Sequence, residues 1–204
     1  MKKLAVMTLL VSFSSFAAIA NEKQLQQQFD SATIQQLAID NGVGELLISA
    51  SPDDKIRVSI QVKGTNKWFF GRSDVSKAEL VSSSRDGVLQ LEVPQDDSEQ
   101  KWTVALPAKM ALQLNLGVGE VKLLGVSGDI TADIGVGSFS ATVPVADYGT
   151  IALNAGVGEV SLHDATPSYE DSHLTGGELS YQGTGSRQIN VTVGVGEAAV
   201  RNQR

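Results

Sequence analysis

The chain has 204 residues, a formal net charge of −7, no cysteine and only 5% aromatic residues. So acidic a composition argues against nucleic acid and anionic lipid as partners, because both require a basic patch. With no cysteine there is no disulfide framework, no thiol nucleophile and no lipid attachment through cysteine.

Residues 1–20 read as a signal peptide. Lys2 and Lys3 form the charged start, Leu4 to Val11 the apolar stretch, and Ala18-Ile19-Ala20 the small-residue cleavage site. Removing them takes two of 16 basic residues, which leaves 14 against 23 acidic ones, a charge of −9. No later stretch approaches the ~20 apolar residues of a membrane span. The expected location is therefore the periplasm, with a secreted form as the alternative.

Residues 21–36 are glutamine-rich and are expected to form a cap segment anchored by Phe29. A single β-domain is expected over 37–204, irregular from 37 to 107 and regular from 108 to 200. Leu37, Ile39 and Val43, then Leu46 and Ile48, alternate as a strand, a corner and a second strand. Ser51-Pro52-Asp53-Asp54 is a turn, and Ile56, Val58, Ile60 and Val62 form the next strand. Trp68-Phe69-Phe70 follows, flanked by Gly64 and Gly71. Leu89, Leu91 and Val93 make a further strand, and Pro94 to Gln100 an acidic turn. Trp102, Val104 and Leu106 make the strand that ends at Pro107.

One tetrapeptide recurs, most regularly beyond Pro107. Gly-Val-Gly-Glu occurs at Gly42–Glu45, Gly117–Glu120, Gly156–Glu159 and Gly194–Glu197; Gly-Val-Gly-Ser stands at Gly135–Ser138 and Thr-Gly-Gly-Glu at Thr175–Glu178. Starts at 117, 135, 156, 175 and 194 are separated by 18, 21, 19 and 19 residues. A period near 20 is the mark of stacked repeats. Leu112, Leu114, Leu116 and Val118 alternate before one copy, and Val121 and Leu123 after it, so the register slips by one. A slip of one requires a bend or bulge. The second glycines, Gly44, Gly119, Gly137, Gly158 and Gly196, are expected to hold that corner, because glycine tolerates backbone that Cβ resists. The predicted fold is an all-β, single-domain β-solenoid whose coils stack in sequence order.

Two tempting readings of Gly-x-Gly fail. No third glycine or helical pattern completes a dinucleotide loop. Calcium-binding nonapeptides need a nine-residue period and regular aspartates.

The string Val104-Ala105-Leu106-Pro107, followed by Leu112, Leu114 and Gly119-Glu120-Val121, then Gly125-x-x-Gly128-Asp129-Ile130, resembles the bacterial putative-adhesin domain family. That family consists of β-solenoid domains with repeated Gly-Asp/Glu-apolar corners. The resemblance runs from about residue 29 to about residue 200. It departs from the family in its nearly uniform Gly-Val-Gly-Glu and in its Trp68-Phe69-Phe70 insertion. It implies an envelope-associated, non-catalytic domain and supplies no catalytic residues.

Three features are candidate sites. Glu45, Glu120, Glu159, Glu178 and Glu197 occupy equivalent corner positions and would form a carboxylate ladder. Like charges about 4.8 Å apart repel by roughly 0.9 kcal/mol in water. The ladder is read either as a contact for a cation, a basic surface or sugar hydroxyls, or as a solvated corner. Trp68, Phe69 and Phe70 either cap an open end of the stack or contact a partner, since exposed aromatics are good anchors. His163 and His173 share one loop with carboxylates, but their spacing matches no zinc pattern. No metal and no cofactor is expected.

Function is read as a scaffold or binding module of the cell envelope, adhesin-like, with an unknown envelope protein or polysaccharide as partner. A carbohydrate-binding or adhesive surface protein is the first alternative. A cryptic polysaccharide-acting enzyme is the second, but the outward positions Gln113, Asn115, Thr131, Asp133, Ser140, Ala152, Asn154 and Thr192 lack the Asp–Lys/Arg cluster it needs. The chain is expected not to be an enzyme.

Overall fold

The computed structural model describes residues 21–67, 71–165, 169–173 and 176–203. The signal peptide at 1–20, the Trp68-Phe69-Phe70 aromatics and Arg204 lie outside the described residues.

The strands, in chain order, are β1 (Glu22–Asp30), β2 (Gln36–Ser51), β3 (Lys55–Gly64), β4 (Asn66–Lys67), β5 (Gly71–Arg72), β6 (Val81–Arg85), β7 (Val88–Glu92), β8 (Ser98–Pro107), β9 (Ala111–Leu124), β10 (Ile130–Val143), β11 (Tyr148–His163), β12 (Tyr169–His173), β13 (Gly177–Gln182) and β14 (Arg187–Asn202). One 3₁₀ turn covers Val145–Asp147. Among the described residues, all strands but the β4–β5 pair belong to one open, mixed sheet. The chain is all-β.

Five long strands form the centre, in the spatial order β2, β9, β10, β14, β11, each parallel to its neighbours and in register. Each is bent into two arms at its Gly-Val-Gly. In β9 the buried residues are Leu112, Leu114 and Leu116 before the bend, then Val121 and Leu123 after it. Both arms turn these side chains inward, so the core lies in the angle between them. At one end β7 pairs with the first arm of β2 and β8 with its second arm, with Val93 to Asp97 replacing the corner. There β3, then β1, add antiparallel strands to the second arm. Phe29 on β1 packs against the core from this edge. β6 returns onto β7 through Asp86 and Gly87, at φ 53° and 80°, the positive values that a tight two-residue hairpin requires. At the far end β13 and β12 pair antiparallel with the two arms of β11.

Three expectations are corrected. First, the copies do not stack in sequence order, because β14 lies between β10 and β11. The chain carries β12 and β13 around the outer side of β11 before returning, and Asp129 ties the return in place. Its carboxylate accepts the backbone N–H of Gln188 at 2.9 Å and faces Arg187 at 3.3 Å. Arg201 on β14 pairs with Asp164, just past β11, at 3.3 Å. Second, Glu178 is not at a corner, since Gly177 and Glu178 begin β13 and face Ala155 and Asn154; Thr175 lies outside the described residues. Third, Val43, Val118, Val136, Val157 and Val195 are not inward but 43–51% exposed.

Candidate functional site: the corner groove and its margins

The register slip expected from the sequence falls two residues earlier than the alternation suggests. Leu116 is the last inward residue of its arm and Val121 the first of the next, so Gly117 to Glu120 all stand outside the core. Repeated through the stack, this builds parallel rows along the outer corner, with one residue per strand every ~4.8 Å.

The second glycines make the corner possible. Gly44, Gly119, Gly137, Gly158 and Gly196 have φ between 137° and 144°. A Cβ on Gly119 would lie 1.8 Å from the carbonyl oxygen of Gly44, and one on Gly137 equally close to that of Gly119. The obstacle is neighbouring backbone, so it cannot move aside without breaking the ladder. These positions carry structure, and their surface consequence is the valine row beside them.

That row runs Val43, Val118, Val136, Val195, Val157 in register. Five half-exposed valines in line form an apolar ridge. On one side of it lies the glutamate row, now in its true order. Lys101 faces Glu45, then follow Glu120, Ser138, Glu197 and Glu159. Glu178 is not part of it. The Lys101 Nζ lies 2.6 Å from Glu45 Oε2. Hydrogen bonding to Glu45, reinforced by the charges of Glu45 and Glu120, holds the Lys101 ammonium above the usual lysine range. Lys101 at one end and Ser138 in the middle leave two adjacent glutamate pairs, Glu45–Glu120 and Glu197–Glu159.

On the other side of the ridge is a groove of about 550 Å³. Its floor is the backbone of Gly42, Gly117, Gly135 and Gly194, and its far wall is formed by Asp40, Asn115, Asp133 and Thr192. The wall row is in register, and Asn154 continues it on β11. A second polar row lies beyond it, with Gln113, Thr131 and Asn190 opposite one another. The sequence lists most of these residues as a bland outward set; only the fold shows that they align beside an apolar ridge. The signal available in the sequence was the five-residue step from Leu116 to Val121, which leaves the valine outside.

Of the other candidates, His163 faces Arg201 across the β11–β14 ladder. The backbone of His173 pairs with Gly158. Among the described residues no group of three or more His, Cys, Asp or Glu is placed to hold a metal ion. Among them, too, no helix is long and apolar enough to cross a membrane.

No protein-family model matches the chain, and no curated protein does. Solved structures do match. A putative cell adhesion protein from Clostridium sporogenes ATCC 15579 is 17% identical, with a TM-score of 0.52 over 89% of this chain and 100% of its own. A putative adhesin from Bacteroides fragilis NCTC 9343 is 10% identical, with a TM-score of 0.29 over 88% of this chain and 97% of its own. At such identities a match shows fold alone, and the second is too distant to add to the first. This chain thus has an overall fold similar to that of the putative cell adhesion protein from Clostridium sporogenes.

Proposed function

We propose that this chain is a non-catalytic, adhesin-like binding module of the bacterial cell envelope, a member of the putative-adhesin domain family. Its stacked bent strands act as a short β-solenoid that presents one straight corner surface to a partner. The proposed compartment is the periplasm, on the pattern of Lys2, Lys3 and Ala18-Ile19-Ala20 at the start of the sequence. The observation that carries the reading is the row of Val43, Val118, Val136, Val195 and Val157, each 43–51% exposed. A valine held half in water forgoes about 1 kcal/mol of burial. Five in line are a contiguous apolar strip of the kind that marks an interaction surface.

The test uses residues 21–204 in co-sedimentation with washed envelope fragments. The wild-type protein is expected to pellet with the fragments, and Val118→Asp/Val136→Asp to stay in solution with an unchanged far-ultraviolet dichroism spectrum. A wild-type protein that stays in solution, or a double variant that pellets equally, overturns the proposal.

A further inference from the structure

The groove beside the valine ridge has a chemistry that selects among partners. Resting on the reading of the corner as a binding surface, we infer that this groove takes a linear, neutral polysaccharide, lying along the stack axis across β2, β9, β10 and β14.

Shape comes first. The groove crosses four in-register strands, a length of about 14 Å at strand spacing, and stays straight because the same Gly-Val-Gly bend recurs in each strand. It is shallow and open to solvent along its length, as suits a surface that takes one side of a long polymer. A channel that repeats the same backbone at every step suits a ligand that also repeats, and an extended pyranose chain advances by a comparable step.

Charge decides the class of polymer. The wall row reads Asp40, Asn115, Asp133, Thr192, Asn154. Acceptor-only carboxylates alternate with amides and a hydroxyl that also donate. Sugar hydroxyls donate and accept at once, so a mixed row satisfies them in either sense. A row built for a polycation would carry a carboxylate on each strand, and only two of these five do. A polyanion is disfavoured as well, because the outward positions of the first arms of these five strands carry no Lys or Arg. The glycine floor, Gly42, Gly117, Gly135 and Gly194, gives the C–H face of a sugar ring an apolar surface. The wall row therefore meets hydroxyl groups and the floor meets carbon, which is how a pyranose chain is divided.

The experiment titrates residues 21–204 with linear neutral hexasaccharides of β1,4-, β1,3- and α1,4-linked glucose, with the matching disaccharides, and with hexalysine. Binding is read by calorimetry and by amide shifts in nuclear magnetic resonance. At least one hexasaccharide should bind and its disaccharide should bind far more weakly, because the site spans several strands. Asn115→Ala and Asp133→Ala should each weaken it about fivefold, the net worth of one hydrogen bond. Asp133→Asn should keep most of the affinity, since the row needs polarity rather than charge. Amide shifts should centre on residues 115–118 and 133–136. Absence of binding by every hexasaccharide overturns the inference, as does equal affinity for hexamer and dimer. So does hexalysine binding that Asp133→Asn abolishes, which would make the groove a site for basic peptides. Because envelope co-sedimentation is measured separately, a protein that pellets with fragments but ignores all three hexasaccharides refutes the ligand and leaves the binding module standing.

Discussion

Asn41 stands in register with Leu116, so an amide fills the place that Leu116, Ile134, Val193 and Ala155 fill with methyl groups. Asn41 is 2% exposed, and neither its Nδ2 nor its Oδ1 has a hydrogen-bond partner. A buried amide left unpaired costs about 1–3 kcal/mol. Asn41→Leu should therefore stabilise the protein by about 1–2 kcal/mol in chemical denaturation. An unchanged or lower midpoint would show that this amide is satisfied in solution.

The corner backbone should be far less tolerant than the side chains around it. Gly119→Ala drives a Cβ against the Gly44 carbonyl at a φ of 144°. It should cost upwards of ~2 kcal/mol, and Gly158→Ala similarly, since Gly158 meets the carbonyl of Gly196 in the same way. Glu159→Gln should shift stability by under ~0.5 kcal/mol, in the stabilising direction, by relieving Glu197 of a like-charged neighbour in register. Thermal melts of the three variants decide the matter; equal losses for the glycine and glutamate changes would misplace the bend.

Leu116 and Val118 are two residues apart on the same strand, yet only Leu116 faces the core. Leu116→Ala should cost about 2–5 kcal/mol, whereas Val118→Thr should cost under ~0.5 kcal/mol. Comparable losses in urea unfolding would return the valine row to the interior and remove the ridge.

Tyr148 is wholly buried, and its hydroxyl donates towards the carbonyls of Val126 and Gly128, at 3.3 and 3.1 Å. Burial, reinforced by the charges of Asp147 and Asp129, pushes its pKa well above the usual 10.0. The folded protein thus holds this proton more tightly than the unfolded chain does. Its contribution is complete below pH 10 and is lost as pH rises towards the folded value. Unfolding free energies measured from pH 8 to 11.5 should fall above pH 10, and Tyr148→Phe should flatten that limb while costing about 1 kcal/mol at pH 7. The variant isolates this share, because Lys101 and its partner Glu45 remain. Parallel curves for the two proteins would refute it.

Much of this molecule was legible in its residues. Period-two alternation at Leu112, Leu114 and Leu116, or at Ile189, Val191 and Val193, depends only on neighbouring positions, so it revealed the strands and their buried face directly. A register slip at every Gly-Val-Gly likewise announced a bend, and glycine was the natural residue to hold it. Strand order was not legible. β14 has the same alternation as β11 and can pair with β10 equally well; its place is decided by long-range contacts such as Asp129 with Arg187 and Gln188. That order in turn decided which glutamates are neighbours, and it removed Glu178 from the row. The valine ridge was hidden for a related reason: an apolar residue beside an apolar run looks like core until the backbone bend turns it outward. Local pattern alone determined that this chain is a stack of bent β-strands. Tertiary pairing decided which residues share a surface, because side chains far apart in sequence, Val43 and Val118 or Val136 and Val195, become neighbours only when the strands between them are placed.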